Sequence, residues 1–375
     1  MRQLGKVVKY LLLTANGLCA GLMLAAAYCP LLHPATHPWL SSLGLTFPLF
    51  LVGDVCFLVM WLILQQYKAS LLPLLTMLCC YSDIHTLFPI NLSRPNPPKG
   101  SISLVSYNIM GFAGCRKGEQ GNAILNYLKE SGADLLCLQE YATGSDRKRH
   151  LTQTDIEEAL QAYPYHPVTH IGGHKSLTNP LACFSKFPIL SAQPVAYDSH
   201  YNGSVIYHIK VGEDTLTVIN NHLESNKLTK QDKVVYEELL SVPEKEKMRS
   251  GMKHLIKKLA EASAIRAGQA DTLAKALRHH TDGKVIVCGD FNDIPLSYTY
   301  HTIARCGLTD AFAHAGLGAG ISYNQHRFYF RIDHILTGRA LESYRCYVDR
   351  SIKESDHYPI RGFIAIKDKV MKGKE

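Results

Sequence analysis

Hydrophobic and polar positions along this 375-residue chain follow two different patterns. Residues 1–90 are dominated by long apolar runs. Residues 10–32 contain no charged side chain, a stretch long enough to cross a hydrocarbon core of ~30 Å as a helix. Residues 43–64 form a second run with a single charge, Asp54, and the Pro- and His-containing segment between the two predicts a helical hairpin. A third run begins at Leu71 and stays apolar only to about Tyr81, where it meets Asp83 and His85, so it reads as a short span or an interfacial helix. Residues 91–100 (NLSRPNPPKG) then supply three prolines and a glycine, a stiff linker that cannot continue a helix. Beyond it, short apolar runs alternate with helical stretches. Strand-like runs occupy 102–109, 135–139, 181–185, 205–210, 216–220, 285–288, 331–336 and 360–366, and helical periodicity covers 122–131 and 243–280. Two mixed sheets with helices on the outside accommodate such a series.

Charge placement adds an orientation. Arg2, Lys6 and Lys9 precede the first apolar run, whereas the loop after it has no Lys or Arg, which puts the N-terminus in the cytoplasm. Two crossings would return the rest of the chain to the cytoplasm and three would place it outside; three are expected here. A cleaved signal peptide ending near Ala25-Ala26-Ala27 is disfavoured, because a signal core is shorter, about 7–15 residues, and is not followed at once by another long apolar run. Asp54 in mid-span reads as a protonated or helix-paired carboxyl.

Composition bounds the rest. With 46% hydrophobic and 19% charged residues the chain can bury a sizeable core. The formal charge of +8 suits anionic partners such as phosphodiesters, nucleic acid or acidic lipid head groups. Eleven cysteines include no C-x-x-C pair and fit neither a zinc site nor a compact disulfide framework, so Cys137 and Cys288 read as small buried thiols in core strands. The Lys- and Glu-rich residues 225–251 read as a solvated insertion. Two basic clusters, Arg147-Lys148-Arg149 and Lys253 with Lys257 and Lys258, suit solvated faces as well as a nucleic-acid surface.

Polar residues with chemical potential recur where apolar strands stop. Asn108 closes LVSYNI, Glu140 ends LLCLQE, His222 and Glu224 follow VINNHLE, and Asp290, Asn292 and Asp293 end VIVCGDFND. Asp333 lies in RIDHIL, and Asp356 with His357 in SDHYPI. Any one alone would be an ordinary turn residue. Together and in this order, the six blocks resemble the endonuclease/exonuclease/phosphatase (DNase I-like) superfamily across essentially all of residues 101–366. That resemblance implies an α/β four-layer sandwich of two packed mixed β-sheets with outer helices, here preceded by an N-terminal transmembrane helical region. The implied organisation is a membrane region at 1–90, a linker at 91–100, a catalytic domain at 101–368 and a basic tail at 369–375.

The resemblance also implies roles. Glu140 would hold Mg²⁺ or Mn²⁺, with Asn108 and Asp356 completing the metal set. Asp290 would act as general base, Asn292 and His222 as phosphate donors, and His357 as a further donor held in its tautomer by Asp333. Asn108 and Asn179 would also touch substrate. Pro180 departs from the family pattern beside Asn179, and some relatives are argued to use the histidine as base. The superfamily cleaves DNA, RNA, inositol phosphates and sphingomyelin, so the fold does not give the substrate. A nuclease-like phosphodiesterase is the first expectation, with a membrane-lipid phosphodiesterase as alternative because tethering concentrates an enzyme at a bilayer. A catalytically silent membrane scaffold is disfavoured by the intact acidic set, and no specific protein partner can be inferred.

Overall fold

A computed structural model describes the chain except residues 1, 94, 116–120, 148–149, 172–179, 198, 200–201, 227, 230–231, 233, 235–244, 281, 326–327 and 368–375, and except the side chains of 2–4 and 245–250. The N-terminal apolar runs form α1 (Arg2–Tyr28), α2 (Phe47–Ile63), α3 (Tyr67–Cys79) and a short α4 (Tyr81–Leu87). Gly5–Leu31 and Leu43–Ile63 are each long and apolar enough to cross a membrane, while α3 and α4 pass that test only as a pair bent by 63°. Gly53 lets α1 and α2 approach closely, since a Cβ there would sit 2.7 Å from the Cys19 sulfur. Asp54 is paired across the helices. Its Oδ1 accepts from Asn16 Nδ2 at 3.3 Å, and Asn16 Oδ1 in turn accepts from Trp61 Nε1 at 3.0 Å.

The C-terminal domain is built from two six-stranded mixed sheets. One has the order β13 (Leu341–Val348), β14 (Ile360–Ile366), β1 (Ile102–Asn108), β2 (Leu135–Gln139), β4 (Leu181–Ser185) and β3 (Val168–Thr169). The other runs β5 (Ile189–Pro194), β6 (Gly203–Val211), β7 (Asp214–His222), β8 (Val285–Asp290), β12 (Asp333–Gly338) and β9 (Leu308–Asp310). A two-stranded ribbon, β10 (Tyr323–Gln325) and β11 (Phe328–Phe330), stands beside them. Because side chains alternate across a strand, each central strand serves two cores. Leu104, Cys137, Val218 and Cys288 meet between the sheets. Val105, Leu136 and Leu138 face the other way, onto α5 (Ala123–Glu130) and α6 (Gln153–Ala159). Ile219, Val287 and Leu336 pack under α7 (Lys245–Leu277) and α8 (Tyr298–Ala304). The result is the expected four-layer sandwich.

The central strands follow the expected runs closely. The edge strands β5 and β13 escape the apolar pattern because they are only partly buried. The run expected from residue 331 begins two residues later. Arg331 precedes β12, where its buried guanidinium pairs with Asp310 at 2.7 Å.

The two halves of the chain are in contact. Met23, Ala26 and Ala27 of α1 and Phe47 of α2 share an apolar cluster with Ile294 and Leu296 of the C-terminal domain. Gly44, in the turn before α2, lies so close that a Cβ would overlap the carbonyl oxygen of Leu296. His33 Nε2 lies 3.3 Å from Asp271 Oδ2 on α7, and Arg331 donates to the Thr86 carbonyl at 2.5 Å. The linker is anchored at its start, where Asn91 Nδ2 donates to the carbonyls of Ala313 and Gly316, both at 2.9 Å. At the far end of the bundle, Lys9 Nζ donates to Gln66 Oε1 at 2.7 Å. The cationic end of α1 and the C-terminal domain therefore lie at opposite ends of the helices.

Candidate active site

Strand pairing collects the polar strand ends. Asn108 pairs with Gln139, the residue before Glu140, across parallel strands β1 and β2. His222 pairs with Asp290 across β7 and β8, and Asp290 with Asp333 across β8 and β12. Gly289 makes the first of these last two pairings possible: its φ is +122°, and a Cβ would overlap the Asn221 backbone. His357 reaches the same rim just before β14, with its ring 5.1 Å from that of Tyr323. Glu140 and Asn292 each hold a left-handed backbone, φ +51° and +52°. For side-chain residues this costs ~1–2 kcal/mol apiece, and the hydrogen bonds below hold both in place.

The hydrogen bonds divide into two connected groups. Asn108 Nδ2 bridges them, donating to Glu140 Oε1 at 3.3 Å and to Asp290 Oδ2 at 3.1 Å. Asp290 Oδ1 accepts from the Asn292 backbone at 2.8 Å, and Asn292 Nδ2 is engaged by the Leu223 carbonyl at 2.9 Å and Asp290 Oδ2 at 3.3 Å. His357 Nε2 lies 3.6 Å from Asp290 Oδ2, while its Nδ1 is 2.8 Å from Asp333 Oδ2. His222 Nε2 faces Glu140 Oε1 at 3.6 Å and Asp290 Oδ2 at 3.8 Å. Asp356 joins Glu140, Asn108 and the histidines in lining one cavity of about 550 Å³.

Electrostatics separates the roles. Burial pushes the Asp290 carboxyl up to about 6, against the pull of His357 and with the push of Asp333. Burial opposes charge on His357, yet the Asp333 and Asp290 carboxylates outweigh it and hold the imidazole well above its usual range. Near neutral pH His357 is a charged donor and Asp290 an available base. His222, buried away from water, is shifted down and stays neutral despite Asp290. Glu140 is shifted up, first by burial and also by the facing Asp356, against the Asn108 hydrogen bond.

A divalent cation fits this set. Among the described residues, no lysine or arginine pairs with Glu140, Asp290, Asp333 or Asp356, so four carboxylates face one imidazolium. Oxygen donors with excess negative charge are what Mg²⁺ or Mn²⁺ takes. Glu140 and Asp356 offer free carboxylate oxygens to the cavity. Asn108 turns its amide nitrogen towards Glu140 while its oxygen accepts from Met110 N at 3.2 Å, an arrangement that orients the Glu140 carboxylate. The ligand atoms of Asp290, Asp333 and His357 also lie within 4.8 Å of one another. His357 Nδ1 is engaged with Asp333 and the ring is charged, which suits acid–base work better than ligation.

The structure thus brings Asn108, Glu140, His222, Asp290, Asn292, Asp333, Asp356 and His357 together; Asn179 lies outside the described residues. Glu224 is not among the cavity-lining residues, whereas Asp293 lines the cavity but is paired away from the catalytic set. Arg266 of α7 pairs with Asp293 at 3.0 Å and donates to the Glu224 carbonyl at 2.9 Å, tying the helix to the rim. Two supports were not anticipated. Ser355 Oγ donates to the Asn108 carbonyl at 2.7 Å, and Ser322 Oγ accepts from Asp333 N at 3.1 Å. Ser355 stands inside the S-D-H block; Ser322 carried no signal, since it precedes a ribbon too short to show periodicity.

Residues 105–357 match the sequence profile of the Endonuclease/Exonuclease/phosphatase family. The chain belongs to this family. A second profile, described as a domain of unknown function, matches residues 9–87. No curated protein matches the sequence. The catalytic domain of human Nocturnin, solved with a bound sulfate anion, is similar at 17% identity and TM-score 0.50, over 73% of this chain and 97% of that one. An endonuclease/exonuclease/phosphatase family protein from Bacteroides thetaiotaomicron is similar at 15% identity and TM-score 0.49, over 72% and 98% of the two chains. A mannosyl-6-phosphatase from the same organism gives 16%, 0.47, 71% and 100%. The common fold is that of the endonuclease/exonuclease/phosphatase family, and the chain is a phosphoesterase of that family.

Proposed function

We propose that this protein is a divalent-metal-dependent phosphodiester hydrolase held at a membrane surface. The observation that carries the reading is the convergence of an elevated carboxylate, Asp290, with a charged imidazole, His357, beside the Glu140–Asp356 pair on one rim. Mg²⁺ or Mn²⁺ held by Glu140 and Asp356 would offset charge on the phosphoryl oxygens. Asp290 takes a proton from the attacking water, whose oxygen forms the new bond to phosphorus. The bond to the leaving oxygen breaks with its electron pair, and that oxygen takes a proton from solvent, to which Asp290 returns its own. Imidazolium His357 donates to a phosphate oxygen, and Asp333 keeps Nε2 aimed at the cavity. Neutral His222 is a second donor from the β7 side. Asn292, with both amide contacts directed at Asp290 and Leu223, positions the base.

A nuclease-like preference gains little support. Arg147 is paired with Asp155 and Glu158, both at 2.9 Å, while Lys148 and Arg149 lie outside the described residues; in the second cluster Lys258 is paired with Asp232 and Lys257 with Glu261 at 3.8 Å. Among the described residues lining the cavity, Arg266 is the one arginine or lysine, and it is already paired. A backbone-tracking basic groove is the usual footprint of nucleic-acid binding. The three-crossing topology, with the catalytic domain outside the cytoplasm, is supported by the opposite placement of Lys9 and that domain. Hydrolysis of bis-p-nitrophenyl phosphate by the full chain in detergent tests the reading: turnover with Mg²⁺ or Mn²⁺ and none in excess chelator is expected. Undiminished turnover in chelator overturns it.

A further inference from the structure

The catalytic residues occupy only one end of their cavity. Away from Glu140 and His357 the same space is lined by many apolar side chains, with serines and Asn226 among them, and it reaches the turn between α1 and α2. Met252, Leu255, Ile256 and Leu259 come from successive turns of α7 at the spacing of one helix face. On a helix of a soluble hydrolase such a stripe would be closed over by core. Here Leu255 is buried, Ile256 and Leu259 are half-buried, and all line open space. The β10–β11 ribbon contributes Phe328 and Phe330 to the same lining. Ser41, Ser42 and Leu45, from the turn between α1 and α2, complete the lining. A turn that joins two membrane-length helices sits at the bilayer boundary, so the apolar arm opens where hydrocarbon chains are. Its volume of about 550 Å³, shared with the catalytic end, lies in the range of small-molecule sites, roughly 300–1,000 Å³.

We infer that the substrate is a membrane-lipid phosphodiester, whose hydrocarbon chain lies in the apolar arm between α7 and the ribbon while its phosphate reaches Asp290 and His357. This rests on the phosphodiesterase reading and narrows it. An oligonucleotide would place a sugar-phosphate backbone against leucine and phenylalanine, with no cation among the described lining residues except the paired Arg266, whereas an acyl chain buries apolar surface there. Attachment to the bilayer by α1 and α2 keeps the arm's mouth at the surface from which such a lipid would enter.

The test uses the full chain in nanodiscs or mixed micelles with Mg²⁺. Four probes are compared: dihexanoyl and dipalmitoyl phosphatidylglycerol, bis-p-nitrophenyl phosphate and a single-stranded oligodeoxynucleotide. The dipalmitoyl lipid is expected to be cleaved with at least a tenfold higher kcat/KM than the dihexanoyl one. Ile256→Glu and Phe328→Ser, which polarise the two walls, should lower the ratio of long-chain to short-chain turnover at least tenfold. If either variant fails to fold, the wild-type chain-length comparison decides alone. Equal turnover of both lipids, or preference for the oligonucleotide, overturns the inference. Turnover of bis-p-nitrophenyl phosphate with no lipid cleavage also overturns it, while leaving the hydrolase reading intact. If none of the four is cleaved, the hydrolase reading falls and the inference with it.

Discussion

Replacing Asp333 by Asn removes a charge and almost no volume, and the structure sets the size of the effect. Asp333 Oδ2 lies 2.8 Å from His357 Nδ1, and both side chains are buried. Two unit charges at that separation attract by ~6 kcal/mol at an effective dielectric of ~20, and desolvation of both groups offsets much of this. A neighbouring opposite charge shifts a titration by roughly 1–3 units, or ~1.4–4 kcal/mol. The sign follows from which form Asp333 favours. It stabilises imidazolium, so its loss makes His357 shed its proton at lower pH, while burial, which already opposes charge there, is unchanged. In wild type, kcat/KM should rise with pH through the Asp290 titration near 6 and fall only when His357 deprotonates, well above its usual range. In Asp333→Asn the falling limb should move acidward by about 1–3 pH units. At pH above both falling limbs the loss should therefore reach about 10- to 1,000-fold, and it should shrink as the medium is acidified. The assay is kcat/KM for bis-p-nitrophenyl phosphate at saturating Mg²⁺ between pH 5 and 10. A uniform loss at every pH, with the alkaline limb unmoved, would refute the claim that Asp333 acts through His357.

Other perturbations test other parts of the account. Asp290→Asn removes the base, and kcat should drop by about 10²–10⁴-fold with an unchanged melting curve; a drop of less than tenfold would reassign the base. Gly44→Ala drives a methyl group into the Leu296 carbonyl, an overpacking strain of about 1–3 kcal/mol. The melting temperature in detergent should fall by several degrees, and no change would mean that the turn is not seated on the catalytic domain. A reporter fused at Gly100 should signal a non-cytoplasmic location, and a cytoplasmic signal would show that α3 and α4 do not cross.

Much of this arrangement was legible because burial leaves a strong trace. Strands β1, β2, β4 and β8 are covered on both faces and so read as mostly apolar runs without strict alternation. The polar residue that ends each run then stands out, which is how Asn108, Glu140 and Asp290 were found without a structure. Long-range pairing was not legible. Nothing local in RIDHIL says that Asp333 lies opposite Asp290, or that its carboxylate meets His357 twenty-four residues later. The Asp333–His357 pairing and the split between base and donor entered only through the family resemblance, because both depend on burial and on which carboxylates face which ring. The apolar stripe of α7 is visible as periodicity, but sequence alone assigns such a stripe to a core. Only the packing shows that it borders the space above the catalytic residues.

The central claim is that Glu140 holds a divalent cation on which phosphodiester cleavage depends. Glu140→Gln keeps the size of the side chain and can still meet Asn108, but it removes the charge that attracts the ion. The measurement is bis-p-nitrophenyl phosphate hydrolysis by full-length wild type and Glu140→Gln across a Mg²⁺ titration, with melting curves of both. A fall of two or more orders of magnitude, with the fold retained and wild-type activity abolished by chelator, is the predicted result. Glu140→Gln turning over at the wild-type rate with an unchanged Mg²⁺ midpoint would contradict the account.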